Sequence, residues 1–304
     1  MKKQLMMMTL ALLLLGGCSK SEQSAEYLPT PKNAEVTAYE GYHLIWNDEF
    51  NEDGRPSSDW IYEKGFVRNN ELQWYQEDNA SVSGGSLLIE GRKERLKNPN
   101  YEADSKDWRK NREYAEYTST CVTTRKSFQF MYGRVEVRAK IPVASGSWPA
   151  IWLLGNQWGW PENGEIDMME YYIRDGRPSI LANAAWGGDR PSHAVWDGAT
   201  IPFTHFTEKD PDWANKYHLW RMDWDKDFIR LYLDDELLNE IELSKTYNGG
   251  WKGNTENPFN NSAEGFGDYI LLNLAIGSNG GTPDDSQFPL RYYVDYVRVY
   301  QQNK

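Results

Sequence analysis

From Tyr42 onward the chain is built of short runs in which apolar and polar residues alternate. SGGSLLIEGRKE, FMYGRVEVRAKIP, DFIRLYLDDELLNEIEL, YILLNLAIG and RYYVDYVRVYQ are rich in β-branched and aromatic residues and have a period of two, the pattern of half-buried strands. In RYYVDYVRVYQ strict alternation assigns Val294, Tyr296, Arg298 and Tyr300 to one face and Asp295, Val297 and Val299 to the other. The Asp234-Asp235-Glu236 step divides RLYLDDELLNEIEL into two such runs, as a hairpin turn does. Helical periodicity is nearly absent, and DPDWANKYHLWRMDW is the best short candidate. Many short strands punctuated by Gly, Pro and Asn predict an all-β fold, an antiparallel β-sandwich. The charged stretch from Lys97 to Tyr117 reads as a loop insertion that shapes one end of a groove. No second linker and no internal repeat interrupts the pattern, so residues 41–302 read as one domain.

The N-terminus departs from this pattern. Two lysines precede an apolar run from Leu5 to Leu15, which is too short to span a bilayer comfortably and has the flanks of a secretory signal. Leu15-Gly16-Gly17-Cys18 resembles the bacterial lipobox, in which the cysteine becomes the acylated first residue. The expectation is a signal peptide over 1–17, lipidation at Cys18, and a polar tether over 18–40 that begins disordered. A plain signal peptide with an incidental cysteine is the alternative. Cys121 is the only other cysteine, so acylation of Cys18 leaves it without a disulfide partner.

Composition sharpens the picture in two ways. The 304 residues include 14 Trp, 19 Tyr and 10 Phe, more tryptophan than a core requires, which suggests aromatic side chains lining a groove as well as filling a β-core. The formal net charge of −12 repels phosphate backbones, so nucleic acid is excluded as a partner and a neutral ligand is favoured. The histidines His43, His193, His205 and His218 lack metal-ligand spacing, and the chain has no HExxH, phosphate loop or GxSxG.

The candidate chemistry lies in GEIDMMEYY, Gly164 to Tyr172. Glu165 and Asp167 share one strand face, and strict alternation sends Glu170 to the other. A β-bulge at Met168-Met169 would insert one residue and return Glu170 to the face of Glu165. Two carboxyls on one face suit glycoside hydrolysis with retention, one attacking the anomeric carbon and one protonating the leaving oxygen at about 5 Å separation. An acid between them can share a proton and hold its neighbours in different charge states. A calcium or magnesium site and a solvated acidic face are the competing readings, and ExDxxE alone does not separate them.

The motif Glu165-Ile166-Asp167-Met168-Met169-Glu170 resembles the bulged ExDxxE form of glycoside hydrolase family 16, as distinct from its shorter ExDxE form. IWNDEF (Ile45 to Phe50), NNELQWY (Asn69 to Tyr75), YGRVEVRAKIP (Tyr132 to Pro142), GSWPAIWLLG (Gly146 to Gly155) and VDYVRVYQ (Val294 to Gln301) follow in the family's order and cover residues 42–301. The resemblance implies a lectin-like jelly-roll of two curved antiparallel sheets with an open cleft. It implies Glu165 as nucleophile, Glu170 as general acid/base and Asp167 as supporting carboxylate. It makes Trp148 a sugar-stacking platform, whereas Trp152 reads as core. Asn70 and Glu71 match a loop that contacts sugar hydroxyls, with a turn or cap role as the rival. Trp186 stands where many β-glucanases of the family carry a His-containing segment, which leaves the sugar beside the cleavage point open. Arg112, in the insertion, is a candidate hydroxyl ligand or a surface ion pair.

The expected activity is that of a retaining endo-β-glycosidase on a β-1,3- or mixed-linkage glucan. The alternatives are an endo-β-galactosidase acting on agar-type galactans or poly-N-acetyllactosamine mucin glycans, and a non-catalytic glycan-binding lipoprotein. No cofactor is expected for catalysis. A structural calcium on the convex face, with Asp295 a candidate ligand, follows from the resemblance alone. The chain is expected to act as a monomeric lipoprotein of the bacterial outer membrane, facing the surface or the periplasm and touching the membrane only through its anchor.

Overall fold

The computed structural model describes residues 25–303; the signal segment, Cys18 and the first residues of the tether lie outside them. Two antiparallel sheets form a sandwich. The seven-stranded sheet runs in the order Ala194–Pro202, Arg177–Gly187, Glu165–Arg174, Ser147–Gly155, Asp268–Ile276, Cys121–Thr123, Ile61–Tyr62. In the eight-stranded sheet, Gly133–Lys140 and Leu290–Gln302 lie side by side at the centre, and Tyr42–Asp48 adds a further pairing to Leu290–Gln302.

Alternation decides what lies between the sheets. Ile151, Leu153, Ile166, Leu272 and Leu274 from one meet Leu87, Ile89, Val135, Val137, Trp220, Val297 and Val299 from the other in a single buried cluster. Full burial of such a side chain contributes roughly 1.5–3 kcal/mol. The predicted hairpin forms between Phe228–Leu233 and Glu236–Glu242. Asp234 and Asp235 both have positive φ, +47° and +66°, as a two-residue turn matched to strand twist requires.

Three expectations change. DPDWANKYHLWRMDW is not a helix: Trp213–Asn215 is one short 3-10 turn and His218–Trp224 is a strand. His218, Trp220, Met222 and Trp224 are buried alternately along it, so period two prevails over the helical reading. The last strand does not alternate strictly. Arg138 pairs with Tyr296 but Ala139 pairs with Val294, a bulge that leaves Asp295 as the extra residue. Val294 therefore joins Val297 and Val299 in the core, while Asp295 joins the outer face.

The third change concerns the tether. From residue 25 on it binds the eight-stranded sheet. Thr30 donates to Asp295 through N (2.8 Å) and Oγ1 (2.7 Å), Tyr39 OH donates to Glu136, and Tyr217 N donates to the carbonyl of Glu26 (2.7 Å). The Arg138 guanidinium also donates to Asp295. A cation there would share the carboxylate with a guanidinium, so Asp295 does not fit a calcium ligand.

Candidate active site

The strand Glu165–Arg174 carries the predicted bulge. Against Ser147–Gly155, Trp152 pairs with Asp167 but Ile151 pairs with Met169, leaving Met168 as the extra residue. The other neighbour agrees: Asn183 pairs with Asp167 and Leu181 with Glu170. Met168 and Met169 both enter the core. Two consecutive inward residues return Glu170 to the outer face, and Glu165, Asp167 and Glu170 line one groove of about 1090 Å³.

Each acid has a different environment. Trp160 Nε1 donates to Glu165 Oε2 at 2.5 Å, and Asp167 is the second hydrogen-bond partner of Glu165. Glu170 accepts from Trp148 Nε1 (2.9 Å) and from Asn183 Nδ2 (3.3 Å). Burial raises the pKa of Glu165, opposed by its bonds to Trp160 and Asp167. Burial, then the charges of Glu165 and Glu170, raise the pKa of Asp167 well above its ordinary value. Burial and the charge of Glu165 push Glu170 up to about 7, against the bonds from Trp148 and Asn183. One acid able to carry a proton near neutrality thus sits on the same face as a hydrogen-bonded carboxylate that the indole and Asp167 favour as the anion. Among the described residues no group of three or more His, Cys, Asp or Glu is arranged to hold a metal ion.

The remaining candidates divide. Trp148 lines the groove, its indole edge on Glu170 and its ring against Tyr172 at 5.4 Å. Asn70 and Glu71 also line it. Asn69 and Asn70 carry left-handed backbone, φ +57° and +54°, a turn that asparagine tolerates. The buried Glu71 carboxylate accepts from Gln73 (2.6 Å) and Asn69 (3.3 Å) and braces that turn.

Arg112 does not reach the groove. It donates to the carbonyls of Glu71 (2.6 Å) and Asn70 (3.1 Å) and stacks over Phe66 and Trp108, so the insertion buttresses the groove loop from behind. Trp186 is not a sugar ligand either. Strand parity turns it inward, where it is 7% exposed and packs edge-on against Phe259.

Several groove residues escaped the sequence reading. Trp152 belongs to the groove, not the main core. Its parity is that of Trp148, its Nε1 donates to Asn273 (2.7 Å), and the Arg68 guanidinium lies 5.0 Å over its ring. Asn183 was recoverable, since it stands opposite Asp167 once the hairpin register is known. Gly198 beside it has a steric reason: a Cβ there would come within 2.4 Å of Asn183 Oδ1. Trp160 and Trp196 also line the groove, 46% and 51% exposed. Trp160 sits on a loop with no periodicity to betray it.

Residues 71–261 match the family model described as glycosyl hydrolases family 16. The chain belongs to glycosyl hydrolase family 16. A glucan endo-1,3-beta-glucosidase A1 of Niallia circulans is 33% identical over 93% of this chain and 41% of its own length. A keratan-sulfate endo-1,4-beta-galactosidase of Sphingobacterium multivorum is 31% identical over 93% of this chain and 60% of its own length. The chain thus spans about half the length of these curated relatives. Among solved structures, one from "Prominent members of the human gut microbiota express endo-acting O-glycanases to initiate mucin breakdown" is 36% identical with a TM-score of 0.75. The match covers 89% of this chain and 94% of that one. The sandwich is accordingly the family 16 jelly roll.

Proposed function

We propose that this chain is a retaining, endo-acting β-glycosidase. The observation that carries the reading is the bulge at Met168, which gathers Glu165, Asp167 and Glu170 on the floor of one open groove. The ionised Glu165 attacks the anomeric carbon as Glu170 gives its proton to the leaving oxygen, so the glycosidic C–O bond breaks and a glycosyl ester on Glu165 forms. Glu170, now a carboxylate, takes a proton from water. The water oxygen bonds to the anomeric carbon, the ester breaks, and Glu165 returns as a carboxylate. Asp167 keeps the proton that lets Glu165 be the charged member of the pair.

Two substrate classes follow from the relatives: β-1,3- or mixed-linkage glucans, and galactose-containing glycans of the keratan or mucin type. The burial of Trp186 removes the sequence argument that rested on it, and the 36% identity to the O-glycanase-related structure favours the second class as strongly as the curated glucanase favours the first. Laminarin, lichenan, agarose, keratan sulfate and mucin O-glycans, digested and analysed by mass spectrometry, separate the two. Glu165→Gln should bring product release from every substrate to background while glycan binding persists. Unchanged turnover in that variant would refute the nucleophile assignment.

The resemblance of Leu15-Gly16-Gly17-Cys18 to a lipobox supports export as an outer-membrane lipoprotein. Mass analysis of the mature N-terminus, with Cys18→Ala as control, tests the acylation.

A further inference from the structure

Of the tryptophans that line the groove, Trp148, Trp152 and Trp160 each donate their indole N–H to a protein oxygen. Trp196 differs. Among the described residues its N–H donates to nothing and its ring packs against no other aromatic ring, yet at 51% it is the most exposed tryptophan described. A single exposed apolar side chain needs no explanation by itself; its address supplies one. Trp196 lies on the edge strand Ala194–Pro202 and pairs with Ala185, which pairs with Glu165. Nucleophile and indole therefore stand in one row across the sheet, two strand spacings or about 10 Å apart. The residue between them carries only a methyl group, and in the next row, at Gly198, there is no side chain at all.

The geometry points to Trp196 as the stacking platform for a sugar one residue removed from the ring that Glu165 attacks. The ligand is a β-linked pyranose with an apolar C–H face, which a flat indole recognises without hydrogen bonds. A chain running across the strands from Glu165 reaches the edge strand with its second sugar. Trp196 then selects substrates long enough to extend that far. This inference rests on the glycosidase reading of the groove.

The test is Trp196→Ala and Trp196→Phe, made in the active chain and in the Glu165→Gln chain, on two size-graded ladders: β-1,3-gluco-oligosaccharides and poly-N-acetyllactosamine oligosaccharides. Binding to the Glu165→Gln chains is read by calorimetry, and cleavage position in the active chains by end-labelling. The expected result is a loss of about tenfold in affinity on Trp196→Ala, confined to oligosaccharides long enough to reach Trp196. Phe, which keeps a flat ring, should restore most of it. In the active chain the cleavage position of a fixed-length oligosaccharide should shift along the chain. A loss equal at every length, or none, overturns the assignment. So does failure of both ladders to bind the Glu165→Gln chain. If the ladders bind with the expected length dependence but the unmodified chain cleaves neither, the platform stands and the glycosidase reading falls.

Discussion

On the outer face of the eight-stranded sheet, Arg298 grips Glu49 with two bonds of 2.8 Å, Arg134 grips Asp223 at 2.6 and 3.0 Å, and Arg138 holds Asp295. On the outer face of the seven-stranded sheet, Glu165, Asp167 and Glu170 have no cation in salt-bridge contact among the described residues; indoles, an amide and one another serve instead. Both faces enclose charge, with opposite results. Paired with guanidinium, a carboxylate is tied up in charge-assisted hydrogen bonds. Given only neutral donors, the same group keeps a raised proton affinity, as Glu170 does at about 7. The back of the sandwich uses acids to fasten the chain; the front leaves them available.

Removing the front-face proton donor should have the largest effect. Glu170→Gln is expected to lower kcat/KM by roughly 10²–10⁴-fold on a polysaccharide, and by less on an aryl glycoside whose leaving group needs no proton. In the unaltered chain, kcat/KM should fall as pH rises through about 7, where Glu170 loses its proton. The sign for stability is the same. A carboxyl raised from 4.5 to about 7 in the folded state stabilises the fold below its unfolded pKa, and that contribution is lost as pH rises through the folded one. The melting temperature of Glu170→Gln relative to wild type should therefore climb between pH 4.5 and 8. A flat difference would deny the raised pKa.

A break on the back face should do the reverse. Arg298→Met leaves Glu49 without its partner and should cost about 3 kcal/mol in denaturant unfolding. Turnover per folded molecule should stay the same, and a large loss of kcat would mean that the two faces are coupled. The smallest effect is expected from Trp160→Phe, which removes a neutral donor from Glu165. With its anion less favoured, the acid limb of the kcat/KM profile should move up by about one pH unit, the worth of a hydrogen bond of roughly 1 kcal/mol. The alkaline limb should not move.

Features that a single strand determines are legible in the sequence, and those that a neighbouring strand decides are not. The bulge at Met168 was legible because two apolar residues sit side by side where an acid should face outward. The bulge at Asp295 was not, because strict alternation of YYVDYVRVY also makes chemical sense and only pairing with Arg138 and Ala139 breaks it. Trp186, expected beside the ligand, is buried, and Trp196, which the sequence did not single out, lines the groove, for the same reason. Either could face a ligand, and the hairpin register turns one into the core and leaves the other on the groove. Arg112 acts on a loop distant in sequence through carbonyls that carry no sequence signal, and the segment from residue 25 docks on the Asp295 carboxylate of the last strand, just as distant.

The residue inserted at Met168 also bears on how the strand can change by descent. Loss of one methionine there would restore plain alternation with Glu165, Asp167 and Glu170 still facing outward, at the spacing of the shorter ExDxE form. Loss of both would reverse every later side chain, driving the last glutamate inward and Tyr171 out. The catalytic strand thus has a tolerance of one codon beneath its reactive row, a point at which length can vary while the chemistry stays where it is.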